Sequence, residues 1–141
     1  MADTSQPDTP MTYARYLALD RLLDCQDPQS DLDDEMLFII IHQTKELWLK
    51  QIIRELQLAR SQIRNDALVP AYKALARVSR IQAVMTLSWD VLSTMTPSEY
   101  TRFRHVLGPS SGFQSDQFRT VEYLLGLKAS AFLKYQEDRP D

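Results

Sequence analysis

The chain has 141 residues, of which 44% are hydrophobic and 25% charged, and its net charge is −3. This composition is typical of a soluble globular domain, and the negative charge argues against a nucleic-acid partner. The longest apolar run covers residues 37–41, far short of the roughly 20 residues that span a bilayer, so we expect no membrane partner. The single cysteine excludes an intrachain disulfide and, with a polar N-terminus, favours the cytoplasm.

Helices are expected almost throughout the chain. Only three glycines occur, which argues against a β-rich fold with many tight turns and against a glycine-rich phosphate loop. Residues 1–11 are polar and carry two prolines, so we predict a disordered tail there. Residues 12–141 are predicted to form one all-α domain.

The first predicted helix covers residues 12 to about 24, where Tyr13, Tyr16, Leu17 and Leu23 repeat at helical spacing. After a loop at 26–33, two long amphipathic helices follow, one over about 33–64 and one from Pro70 to Met95. The short connection between them predicts an antiparallel pair within a bundle. The apolar residues expected to face the core are Leu49, Ile52, Ile53, Leu56 and Ile63 on the first, and Leu75, Val78, Ile81, Met85, Val91 and Leu92 on the second.

The clearest local signal is the start of a short helix at residues 96–99. Thr96 is placed to cap it, Pro97 suits the first helical position, and Glu99 completes a capping box. The helix is predicted to stop at Gly108, before a Ser-Ser-Gly turn over 110–112. A last helix follows, and Gly126 is expected to end it.

Three side chains in these segments suggest ligand contacts, each with a structural alternative. His42 follows Phe38 by four residues and shares its helical face, which suits either a substrate contact or a buried structural histidine. Arg104 suits a carboxylate, or else a surface ion pair with a glutamate. Ser111 offers a hydroxyl to a ligand, or to hydrogen bonds within its own turn. His42 and Glu46 have metal-ligand spacing but lack a third ligand, so no metal site is predicted.

Five segments of the sequence, taken in order, form a recognisable set: 13–23 (YARYLALDRLL), 38–48 (FIIIHQTKELW), 94–97 (TMTP), 103–104 (FR) and 110–119 (SSGFQSDQFR). Together they resemble the tryptophan 2,3-dioxygenase family. That resemblance implies an all-helical, cytoplasmic haem protein, usually a homotetramer, that inserts O₂ across the indole 2,3-bond of L-tryptophan. The product, N-formylkynurenine, belongs to the kynurenine pathway of tryptophan catabolism.

The resemblance also implies roles for individual residues on the substrate side. His42 resembles the distal histidine that hydrogen-bonds the indole N–H, and Phe38 resembles the ring that packs against the indole. Arg104 corresponds to the arginine that pairs with the substrate carboxylate, with support from Tyr100. Leu107 matches a position that lines the pocket.

Other matches concern the cofactor and a neighbouring subunit. Trp89 is similar to a residue on the haem side, and Ser111 lies where a hydroxyl faces both haem and substrate. Tyr13 and Tyr16 resemble N-terminal tyrosines that a neighbouring subunit contributes to the pocket, which implies a homo-oligomer.

One departure from the family concerns the iron. In the family, the proximal histidine lies in the second half of longer chains, and neither His42 nor His105 matches it. We therefore expect no axial ligand in this chain and weak haem binding. Two alternatives stay open: a non-catalytic helical relative that binds an amino acid, and a self-associating interaction module.

Overall fold

A computed structural model describes residues 10–127, and within them every regular element is a helix, which confirms the all-α prediction. In that range no helix is both long enough and apolar enough to cross a membrane. Residues 1–9 of the predicted tail and residues 128–141 of the predicted domain lie outside the described residues. The elements are α1 (Tyr13–Leu17), α2 (Leu19–Leu22), α3 (Asp33–Arg64), α4 (Leu68–Leu92), α5 (Pro97–Phe103) and α6 (Asp116–Leu124), with 3₁₀ turns at Arg104–Leu107 and Gly112–Gln114.

The helices α3 and α4 pack against each other as the predicted antiparallel pair, and α6 packs on α3. Their shared core consists of aliphatic side chains from all three helices. Helix α4 begins at Leu68 rather than Pro70 and ends at Leu92 rather than Met95. Pro70 is tolerated inside the first turn because backbone N–H groups there have no partner within the helix. The core residues are Leu49, Ile52, Leu56, Val78, Ile81 and Val121.

Three of the predicted inward positions on these helices are wrong. Leu75, Val91 and Ile63 are 38%, 51% and 51% exposed. The reason on α4 is that small residues, Ala71 and Ala74, make the close contact with α3 and are buried. A stripe that starts on these alanines continues by steps of three and four through residues 78, 81 and 85, so positions 75 and 91 fall beside it.

The single helix predicted over residues 12–24 is also wrong. The helix is interrupted at Ala18, which has a φ of +52°, so that α1 and α2 are separate short helices. Neither buries any residue. Because short helices gain most of their stability from tertiary packing, nothing holds this segment in one continuous helix.

The capping box of α5 is confirmed. The Thr96 hydroxyl accepts a hydrogen bond from the Glu99 N–H at 3.3 Å, and the Glu99 carboxylate accepts one from the Thr96 N–H at 2.7 Å. Gly108, with φ +54°, ends the 3₁₀ turn that extends α5, and Gly126, with φ +99°, follows α6 as predicted. Helix α5 follows the end of α4 in the chain and packs against α3.

Candidate active site

A cavity of about 950 Å³ opens between α3, the end of α4, α5 and the loop that follows α5. Tyr13 and Tyr16 do not line it; both are on α1 and more than three-quarters exposed. The other seven predicted site residues all line it: Phe38, His42, Trp89, Tyr100, Arg104, Leu107 and Ser111.

One wall of the cavity is a cluster of aromatic rings. The Phe38 ring lies 4.1 Å from the His42 ring and 5.9 Å from the Tyr100 ring, measured between centroids. Phe103, which is fully buried, meets both Phe38 and Tyr100 edge-on at 5.6 and 5.5 Å. Such edge-to-face contacts are favourable and geometrically specific. Phe103 therefore anchors α5 on α3 and sets the distance between the two helices at the cavity.

A backbone contact decides which nitrogen His42 offers to a ligand. Its Nδ1 lies 2.7 Å from the Phe38 carbonyl oxygen, which accepts hydrogen bonds only. Nδ1 therefore carries a proton and donates it to this oxygen. In the neutral imidazole, Nε2 is then a hydrogen-bond acceptor. His42 is half-buried and lines the cavity, and its Nδ1 contact also gives it a structural role within α3.

Arg104 lies at the start of the 3₁₀ turn after α5. Its guanidinium donates to the Gly108 carbonyl oxygen at 3.0 Å and makes no ion pair with any residue of 10–127. The described chain therefore lacks the alternative ion pair between Arg104 and a glutamate. A guanidinium has five N–H donors in a planar fork, and one contact leaves others for a carboxylate.

Ser111 begins the second 3₁₀ turn and makes the hydrogen bonds of a local cap. Its hydroxyl accepts from the Phe113 N–H at 3.3 Å, and its own N–H donates to the Gln114 side-chain oxygen at 3.0 Å. The local alternative for Ser111 is thus observed, and the same residue also lines the cavity. The Gln114 contact was missed, although serine followed three positions later by glutamine is a capping-box pattern.

Glu46 also lines the cavity and was considered only as half of a metal pair. The Gln117 amide on α6 donates to both the Glu46 carbonyl oxygen, at 2.9 Å, and its carboxylate, at 2.8 Å. This contact joins residues 71 positions apart, so no local pattern reveals it. Among residues 10–127 no three His, Cys, Asp or Glu side chains come together as metal ligands.

Two side chains on α3 hold the loop that leads into it. The buried Glu35 carboxylate accepts hydrogen bonds from the Ser30 hydroxyl and from the N–H groups of Gln29 and Ser30. The Ser30 hydroxyl and these N–H groups hold the pKa of Glu35 below its ordinary value. Gln43, next to His42, donates to the Cys25 carbonyl oxygen at 3.1 Å.

The resemblance implies haem as the cofactor of this cavity. Trp89, Leu92 and Met95 give it an apolar wall at the end of α4, which suits a flat macrocycle. The cavity offers fewer side chains that could bind the haem iron. His42 is the histidine of the cavity, and the exposed His105 is not among the lining residues. The described residues thus fit the ring and supply one histidine, on the side that faces Phe38.

Residues 10–127 thus form an all-helical unit with an aromatic pocket that Arg104 lines. Similarity to known proteins shows the family to which the chain belongs. A family model described as tryptophan 2,3-dioxygenase matches residues 2–140. The chain is 66% identical to the tryptophan 2,3-dioxygenase of Caulobacter vibrioides, over 93% of this chain and 50% of that protein. It is 59% identical to the enzyme of Bradyrhizobium diazoefficiens, over 88% of this chain and 44% of that protein.

The corresponding enzyme of Bacillus thuringiensis is 55% identical over 93% of this chain and 47% of its own length. The chain thus spans about half the length of the curated relatives it matches. It belongs to the tryptophan 2,3-dioxygenase family.

Proposed function

We propose that this chain forms the substrate side of a haem-dependent dioxygenase site that converts L-tryptophan and O₂ to N-formylkynurenine. Both oxygen atoms end in the product, across the cleaved 2,3-bond of the indole. The observation that carries the proposal is that one cavity contains the acceptor nitrogen of His42, the aromatic face of Phe38 and the cationic Arg104. These three groups match three parts of tryptophan, namely the indole N–H, the indole ring and the α-carboxylate.

Arg104 would bind the α-carboxylate of the substrate. Its guanidinium is at the cavity and has one backbone contact in residues 10–127, and Tyr100, one helical turn earlier, lines the same cavity. A charge-assisted hydrogen bond to an arginine fork fixes the orientation of a carboxylate as well as its position. The amino-acid end of the ligand is thereby held at the 3₁₀ turn after α5, and its side chain extends towards α3.

Phe38 and His42 would bind the indole. The two rings lie next to each other on α3, and an indole packed on Phe38 brings its N–H to the imidazole. Because the Nδ1 proton is donated to the Phe38 carbonyl, Nε2 is the atom that accepts from the indole N–H. Leu107 adds an apolar contact from the 3₁₀ turn.

Haem would lie along the wall formed by Trp89, Leu92 and Met95, with the Ser111 hydroxyl facing it from the loop. When bound, haem supplies the activation of O₂ that no side chain provides. The contribution of this chain is to orient the indole beside the cofactor.

A neighbouring copy of the chain would complete the pocket, which makes a homo-oligomer part of the proposal. Tyr13 and Tyr16 are 77% and 76% exposed and lie outside the cavity of their own chain. Exposed aromatic residues are common at protein interfaces. Sedimentation velocity checks this: a dimer or larger species supports it, and a monomer at every accessible concentration contradicts it. The cytoplasm is the proposed compartment.

A chimera tests the activity. This chain would replace the matching half of the Caulobacter relative, with which it shares 66% identity, and N-formylkynurenine would be measured by absorbance. We expect tryptophan-dependent product within about tenfold of the parent enzyme, a rate change of about 1.4 kcal/mol. A folded chimera that binds haem and forms no product would contradict the proposed function.

A further inference from the structure

Lys45 has no role in the proposed function, yet it lies where three helices meet behind the cavity. Its ammonium group on α3 is 4.9 Å from the centroid of the Trp89 ring on α4. The same ammonium is 5.7 Å from the centroid of the Phe118 ring on α6. Both distances are within the range of about 6 Å over which a cation is attracted to an aromatic face.

Hydrogen bonds between neighbouring residues hold the backbone next to Lys45 close to the backbone next to Phe118. The next residue, Glu46, receives two hydrogen bonds from Gln117 on α6, which hold this turn of α3 against the turn of α6 that carries Phe118. Within residues 10–127 Lys45 makes no ion pair and no side-chain hydrogen bond. Its charge is therefore directed at the two rings rather than at a carboxylate.

Trp89 is a half-exposed residue of the cavity wall. It lines the cavity but is 45% exposed, so little packing restricts its indole ring. A half-exposed indole at the end of a helix has several rotamers available. A cation held over its face favours the one rotamer in which that face is covered.

We infer that Lys45 is a positioning residue that holds the Trp89 indole as the α4 wall of the cavity. Removing the charge releases the ring, and any ligand that packs on this wall then binds more weakly by about two- to fivefold, the typical range for an exposed cation–π contact. The identification of this ligand as haem rests on the proposed function. The inference that Lys45 orients Trp89 does not depend on that function.

The test follows the fluorescence of Trp89 in the 141-residue chain. The chain has two tryptophans, so Trp48→Phe leaves Trp89 as the only tryptophan, which is excited at wavelengths longer than those that tyrosine absorbs. In this background Lys45→Met removes the charge at similar length, Lys45→Arg keeps it, and Lys50→Met is the control on an exposed lysine of the same helix. Time-resolved anisotropy and acrylamide quenching report the freedom and the exposure of the indole.

We expect faster local rotation and stronger quenching in Lys45→Met, and values like those of the parent in Lys45→Arg and Lys50→Met. Equal values in all four proteins would overturn the inference, as would failure of arginine to restore the parent values.

The unsubstituted chain gives a second measurement, in case a variant does not fold. The ε-methylene protons of Lys45 should be shifted upfield in NMR spectra by the ring currents of Trp89 and Phe118, and unshifted protons would also overturn the inference.

Haem titration separates this inference from the proposed function. If haem binds the chain, its affinity should fall about two- to fivefold in Lys45→Met and not in Lys50→Met; equal affinities would contradict the role of Lys45 at this wall. If haem does not bind even the chimera, the proposed cofactor is wrong, and the fluorescence and NMR results still decide the orientation of Trp89.

Discussion

His42 and Phe38 are related by more than their shared helical face. The carbonyl of Phe38 fixes the protonated nitrogen of His42, and the ring of Phe38 packs on its imidazole. One residue thus sets both the tautomer and the plane of the other. The i, i+4 spacing was readable from the sequence, because a helix brings such residues together. The hydrogen bond from Nδ1 was not, because it depends on a side-chain rotamer.

Substitution of His42 should weaken tryptophan binding only through the indole N–H. In His42→Phe we expect the affinity for L-tryptophan to fall about 2- to 13-fold, the effect of one hydrogen bond of about 0.5–1.5 kcal/mol. N1-methyl-L-tryptophan lacks this N–H, so its affinity should be the same in both proteins. Calorimetry measures all four constants, and His105→Phe serves as the control outside the cavity. An equal loss for the two ligands would contradict the hydrogen bond.

At the scale of elements, local chemistry predicted the ends of helices better than their buried faces. The capping box at Thr96 and the stop at Gly108 follow from residues within a few positions of each other. Burial depends on the neighbour: α4 meets α3 through Ala71 and Ala74, and Leu75 is left outside. An alanine contact is hard to predict, because a hydrophobicity pattern gives more weight to larger residues.

The contacts around Glu35 make the start of α3 sensitive to acid. The pKa of Glu35 is lowered in the folded chain by the Ser30 hydroxyl and the Gln29 N–H. A carboxyl with a lowered folded pKa adds stability that is fully present above its unfolded pKa, about 4.3, and is lost as the pH falls through its folded pKa. The Glu35→Gln variant should therefore be less stable than the parent at pH 7, and its stability should change less between pH 5 and pH 3.

Urea unfolding followed by circular dichroism at several pH values measures this difference. Asp24→Asn is the matched control, because Asp24 is an exposed acid in the chain before the same loop. The free energies of unfolding of the parent and of Glu35→Gln could instead fall in parallel as the pH is lowered. That result would show that the carboxylate contacts do not stabilise the loop.

At the scale of the whole molecule, the site is assembled from distant parts of one chain. Residues of α3, α4, α5 and the following loop meet at one cavity, although Phe38 and Ser111 are far apart in sequence. The ordered motifs of the family predicted which residues would meet, and physical patterns in the sequence did not. The contact of Gln117 with Glu46 and that of Lys45 with Trp89 are long-range, so they required the structure.

The central claim is that this cavity binds L-tryptophan through Arg104, and calorimetric titration of the chain tests it most directly. The matched pair is Arg104→Ala and Arg102→Ala, which remove neighbouring exposed arginines, one at the cavity and one outside its lining. We predict saturable binding that Arg104→Ala weakens about 10- to 150-fold, the effect of losing a charged hydrogen bond of about 1.5–3 kcal/mol, and that Arg102→Ala leaves unchanged. Equal affinities in the two variants would contradict the claim.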